Sequence, residues 1–148
     1  MDKKAVVETL NHILEMELAG VVRYTHYSLM VYGYNRIPIV GWLREQAAEG
    51  LTHAQLAGER LTDIGEHPSL SIGPLLETHN HDIGAILRES MEHERATLAL
   101  YRRLLELVER HSILLEEYAR DMIQAEEIHL GEVDKMLRKP GDITQFVA

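Results

Sequence analysis

Glu126 and His129 lie in "QAEEIHLGEV", a segment whose apolar positions Tyr118, Met122, Ala125, Val133 and Met136 recur at helical spacing. Both polar groups therefore fall where core residues belong. Glu17 sits in the same way between Leu14 and Val21, and Glu94 between Met91 and Leu98. His53 shares a face with Trp42, Gln46, Glu49, Leu56 and Arg60, beside the stripe Ala47, Gly50, Ala54, Leu61. An unpaired buried carboxylate costs several kcal/mol, and a whole domain is stable by only about 5–15 kcal/mol. Arg23, Arg88, Arg95 and Arg120 fall beside the stripes rather than in them. The inward carboxylates must therefore share protons, pair with cations or bind metal. Two divalent ions offset about four carboxylates, and oxygen with imidazole ligation suits iron or manganese.

The order of these groups repeats. Glu17 precedes His53 as Glu94 precedes His129, so each half of the chain offers a Glu on one helix and a carboxylate with a His on the next. A Glu-x-x-His places both groups on one helical face about one turn apart, letting the carboxylate bridge while the imidazole terminates one metal. Tyr24 lies one step further along the face of Glu17.

Four helical segments must hold these groups. The first runs from about Lys4 to Tyr32 on the stripe Leu10, Leu14, Val21, Ser28, Val31, and Gly33 and Asn35 turn the chain after it. The second runs from about Pro38 to Ile64, stopped by Gly65 and Pro68. The third carries the stripe Leu87, Met91, Leu98, Tyr101, Leu105 and ends at Arg110; its start falls at Pro74 or as late as Asp82. The fourth runs from Ser112, a suitable N-cap, to Arg138, before Pro140 and Gly141. The short links make the first and last pairs antiparallel, and the long stretch after Gly65 can cross the bundle's length. The fold class expected is all-α, a ferritin-like four-helix bundle with a long crossover between helices two and three, as one domain over residues 1–148.

Composition agrees and narrows the function. The 148 residues are 45% hydrophobic, 26% charged and only 5% aromatic, the balance of one helical domain. A formal charge of −9 without a dense basic cluster disfavours nucleic acid and anionic lipid. The absence of cysteine leaves no disulfide, thiol nucleophile or thiolate metal site. The chain shows neither a signal-peptide pattern nor a membrane-length apolar run, so a cytoplasmic location is expected.

The stretches "LNHILEMELAGVVRY", "EGLTHAQLAGERLTDIGEHPSL", "LRESMEHE" and "AEEIHLGEVDKML" resemble the bacterioferritins and their ferritin-like relatives across nearly the whole chain. The resemblance implies a di-iron carboxylate centre, two iron ions per subunit, with Glu17, His53, Glu94, Glu126 and His129 at ligand positions and Tyr24 at a family tyrosine beside it. It implies a ferroxidase-type oxidoreductase that stores iron, taking Fe(II) and dioxygen or peroxide. The expected assembly is a homo-oligomer, dimer-based and open to being a cage, with no nucleic acid and no membrane partner. The alternative is a non-storage di-metal enzyme, of iron or manganese, such as a catalase, oxidase or hydroxylase.

Two positions depart from the family pattern. Gly50 stands where the family carries a bridging glutamate three residues before His53, and Glu49 is the nearest carboxylate. A local π widening at Gly50 would rotate Glu49 inward, and Glu49 is taken as the sixth metal ligand on that basis. Leu51 stands where haem-binding members place methionine, so haem is not expected. Outside this set, His79 and His81 in "ETHNHDI" form an i, i+2 pair able to catch a surface metal, though a solvated loop is the simpler reading. His93 is placed beside Glu94 but off the stripe.

Overall fold

The computed structural model describes residues 1–146 and contains four helices, α1 (Lys3–Met30), α2 (Arg36–Asp63), α3 (Ile83–Val108) and α4 (Ile113–Leu137). Three of them start on a side-chain cap. Asp2, Asp82 and Ser112 accept hydrogen bonds from the backbone N–H groups of Ala5, Ala85 and Leu115, each satisfying a donor that the first turn leaves unpaired. The cap at Asp82 settles the third helix at its later start, so "PLLETHNHD" belongs to the crossover. α2 begins before Pro38, which falls in its first turn, where no N–H is needed.

Gly33, at φ 100°, turns the chain between α1 and α2. Arg36 fastens that corner by donating to the carbonyl oxygens of Val31 at 2.6 Å and Ser28 at 3.3 Å. α2 stops at Gly65, whose φ of 76° permits a paired closure: Glu66 N–H donates to Leu61 O and Gly65 N–H to Thr62 O. The crossover, residues 64–82, then lies along α1. Ser69 donates its backbone N–H to Asn11 Oδ1 at 2.8 Å and its hydroxyl to Glu15 Oε2 at 2.7 Å, and Gly73 N–H donates to Glu15 O at 2.9 Å. A Cβ at Gly73 would stand 3.0 Å from that same carbonyl oxygen, so this close approach requires glycine.

The apolar clusters define the directions of the helices. One collects Val6 to Leu14, Ala54 to Leu61, Tyr101 to Val108 and Leu115 to Met122, the N-terminal half of α1 and α4 with the C-terminal half of α2 and α3. The opposite end holds Tyr24 to Val31, Val40, Leu43 and Ile86, joined by the smaller group Leu87, Met91 and Val133. Helices α2 and α3 therefore run parallel, each antiparallel to its hairpin partner. The inward carboxylates lie between the two apolar ends. Among the described residues no helix is long and apolar enough to cross a membrane.

Candidate metal centre

Glu17, Glu94 and Glu126 are buried at 5%, 8% and 3% exposure, a burial that no solvated ion tolerates alone. His53 and His129 stand at the edge of the same space. His53 Nδ1 lies 3.5 Å from Glu17 Oε2 and 3.8 Å from Glu126 Oε1. On the other side, His129 Nε2 lies 3.8 Å from Glu94 Oε1, and its ring stacks on Trp42 at 5.8 Å between centroids. Together these groups line a cavity of about 20 Å3, room for a guest the size of a water or an ion.

Two tyrosines complete the polar shell. Tyr24 donates to Glu94 Oε1 at 2.8 Å and lies 3.1 Å from His129 Nε2, and Tyr101 donates to Glu17 Oε1 at 3.0 Å. The arrangement is reciprocal. Tyr24 stands two turns beyond Glu17 on α1 and Tyr101 two turns beyond Glu94 on α3, so each helix presents a glutamate and the tyrosine that serves the other helix's glutamate. Tyr101 was legible only as part of an apolar stripe; the repeated Glu-x6-Tyr spacing is the signal that marks it.

Burial pushes the Glu126 carboxyl up to about 12, reinforced by the neighbouring Glu94. Burial acts on Glu94 in the same direction, but the hydrogen bond from Glu126 and the charge of His129 outweigh it and hold Glu94 below its ordinary value. Glu126 thus keeps a proton and shares it with ionised Glu94. Burial also raises Glu17, with His53 opposing; the Glu17 carboxylate in turn raises His53 against that residue's own desolvation. Glu126 Oε2 remains buried without a hydrogen-bond partner. Among the described residues, the ion pairs to these three carboxylates come only from histidines. Arg23, expected beside the stripe, is partly buried but turns its guanidinium to Tyr27 and the backbone of Glu89.

Two expectations need correction. α2 stays α-helical through Gly50, so the π widening does not form. Gly50 is instead the contact point of α1 and α2: a Cβ there would meet Val21 Cγ2 at 3.2 Å and Glu17 O at 3.4 Å. Glu49 consequently remains exposed at the mouth of the cavity, where it also borders an open depression with Gln46, Thr52 and Glu132. His93 is not off the stripe but buried at 5%, packed against Gly20, its pKa depressed chiefly by burial. Leu51 is 46% exposed on the outer side of α2.

The donor set suits divalent cations. Glu17, His53 and Glu126 each offer a ligand atom within 4.8 Å of the others, and Glu94 and His129 extend the set. The sequence matches the ferritin-like domain model over residues 7–141, and the chain belongs to that family. Solved structures share the fold. A ferritin-like, diiron-carboxylate protein from Bacillus anthracis str. Ames superposes with a TM-score of 0.84 at 23% identity, covering 91% of this chain and 96% of that one. Bacterioferritin from Rhodobacter capsulatus gives 0.83 at 23% identity over 93% of this chain and 85% of that one. A bacterioferritin-related dodecameric thioferritin from Bacteroides fragilis gives 0.83 at 22% identity over 93% and 86%. No curated protein matches the chain.

Proposed function

We propose that the chain is a di-iron ferroxidase that stores iron as a homo-oligomer. The observation that carries this reading is the convergence of three buried carboxylates and two imidazoles, with no buried lysine or arginine partner among the described residues and one carboxylate oxygen lacking a hydrogen bond there. Glu17, His53, Glu94, Glu126 and His129 would hold the metal pair, and Glu49 is placed to contribute from the mouth. With iron bound, the centre supplies one-electron chemistry at each metal, so two Fe(II) become two Fe(III) and the two electrons reduce dioxygen to the peroxide level, or peroxide to water.

The protein's own residues prepare that chemistry. Glu94 and Glu126 bring a shared proton that must leave when cations enter, and their freed oxygens then face the cavity. Tyr24 orients Glu94 and His129 together, while Trp42 fixes the plane of the His129 ring. The acidic depression bordered by Glu49 and Glu132 draws Fe(II) toward the mouth. Leu51 provides no donor atom for haem iron, so the protein is haem-free. Similarity to a dodecameric protein supports assembly into a shell, where stored ferric product could collect.

A non-storage enzyme using iron or manganese is the second reading, favoured by the open depression that gives small molecules access to the centre. Adding Fe(II) to metal-free protein in air, with iron content, ferric absorbance and light scattering on one sample, separates the two. Two irons per chain, rapid oxidation and a hollow particle holding further iron support storage. A small oligomer that binds two metals without accumulating more indicates the enzyme. No stoichiometric metal overturns both.

A further inference from the structure

His26, Glu77 and His81 converge outside the bundle centre, on the outer side of α1 where the crossover passes. His26 Nε2 lies 2.5 Å from Glu77 Oε2, and His81 Nε2 lies 3.2 Å from Glu77 Oε1. The two imidazole rings are 6.1 Å apart, and one ligand atom from each of the three residues lies within 4.8 Å of the others. We propose that these three side chains form a second metal site, for a zinc-class divalent cation, that clips the crossover to α1.

The distances favour one shared ion. Around a tetrahedral zinc-type ion with bonds of about 2.0–2.2 Å, neighbouring donors stand about 3.3–3.5 Å apart. His81 Nε2 stands close to that spacing from Glu77 Oε1, while His26 Nε2 meets the other oxygen, Oε2. The His26–Glu77 contact is a hydrogen bond that opens by about 1 Å when an ion replaces the proton between them. Glu77 is also pre-oriented, because its Oε1 accepts the backbone N–H of His79 at 2.5 Å. His79 contributes that backbone group and not its ring: its side chain is 84% exposed and its Nδ1 stands 3.9 Å from Glu77. The neighbouring pair legible in the sequence is thus replaced by a long-range triple, which adds His26 from α1.

Two imidazoles and one carboxylate leave a fourth position for water, and this nitrogen-rich set favours zinc, copper or nickel over magnesium. The bundle centre is richer in carboxylate. None of the three residues lines that centre's cavity, so the two sites can be separated. Because His26 is remote in sequence from the crossover, an ion here closes a long loop and restrains residues 64–82 against α1.

The test is a zinc titration of chelator-stripped full-length protein carrying Glu94→Gln and Glu126→Gln, which disable the central site. One zinc per chain is expected to remain, and zinc should slow proteolytic nicking of the crossover. In that background His26→Gln or His81→Gln should weaken zinc binding by at least about 10–100-fold and abolish the protection, whereas His79→Gln should leave both intact. Circular dichroism verifies that each variant is folded. Absence of zinc in the central-site variant, retention of full affinity after both His26→Gln and His81→Gln, or loss on His79→Gln alone would each overturn the proposal.

Discussion

Replacing Glu126 with glutamine should stabilise the metal-free protein at neutral pH, although it removes a proposed ligand. In the unfolded chain the Glu126 carboxyl titrates at its ordinary 4.5, whereas in the folded chain burial and Glu94 keep it protonated up to about 12. The folded pKa is raised, so the stability this group confers is fully present below pH 4.5 and is lost as pH rises. Above pH 4.5 only the unfolded state releases the proton, and each unit removes about 1.4 kcal/mol, or roughly 3 kcal/mol by pH 7. Glutamine resembles the protonated form, retains a donor for Glu94 and never ionises. Urea denaturation of both chelator-treated proteins, at equal concentration, should show Glu126→Gln ahead by about 3 kcal/mol at pH 7 and by no more than about 1 kcal/mol at pH 5. Adding metal should reverse the order, because an amide is a poorer ligand than a carboxylate. A metal-free variant no more stable than the parent at pH 7, or a gain just as large at pH 5, would refute the argument.

Tyr24→Phe removes the hydroxyl that joins Glu94 to His129, and should cost about 1–3 kcal/mol in metal-free unfolding while slowing Fe(II) oxidation with metal stoichiometry retained. Gly50→Glu should not raise metal occupancy, since its Cβ meets Val21 Cγ2 at 3.2 Å beside the α1 backbone; Gly50→Ala sets that crowding against about 1 kcal/mol of helix propensity, so a denaturation series should show a net change of no more than about 1 kcal/mol. Glu49→Gln should weaken iron occupancy in a Fe(II) titration without abolishing it, in keeping with a carboxylate at the mouth and not within the core. Protein produced with ample iron and haem precursor should show no Soret band, because Leu51 lacks a donor atom.

The helical layout was legible because each stripe is long and most ends carry a signal: Asp82 and Ser112 at helix starts, Gly33 and Gly65 as turns. The positions of Glu17, Glu94 and Glu126 were legible for the same reason, since periodicity reports which face is buried. Gly50 was misread because periodicity says nothing about how closely two helices approach; the glycine serves the α1–α2 contact, and Glu49 stays at the mouth of the cavity. His93 was placed off its stripe because α3 buries a wider face than a single line of residues, enclosing Ser90, His93 and Thr97 as well. His26, Glu77 and His81 could not be grouped in advance, because the path of the crossover over α1 is set by Ser69 and Gly73 meeting Asn11 and Glu15, contacts remote in sequence.

The exchange of tyrosines has a consequence for how the bundle comes together. The α1–α2 hairpin holds Glu17 with His53, and the α3–α4 hairpin holds Glu94 with Glu126 and His129, so each can place its acids locally. Neither can satisfy them: the hydroxyl that reaches Glu17 belongs to the second hairpin, and the one that reaches Glu94 to the first. The two bonds are rivets across a seam, driven from opposite sides. Sliding one hairpin along the other by a turn would strip both glutamates of their donors at once, so the polar centre also acts as a register lock for the apolar faces above and below it. The same lock lets the halves recognise each other without the covalent strap, and a chain cut within the crossover should still reassemble in the correct alignment.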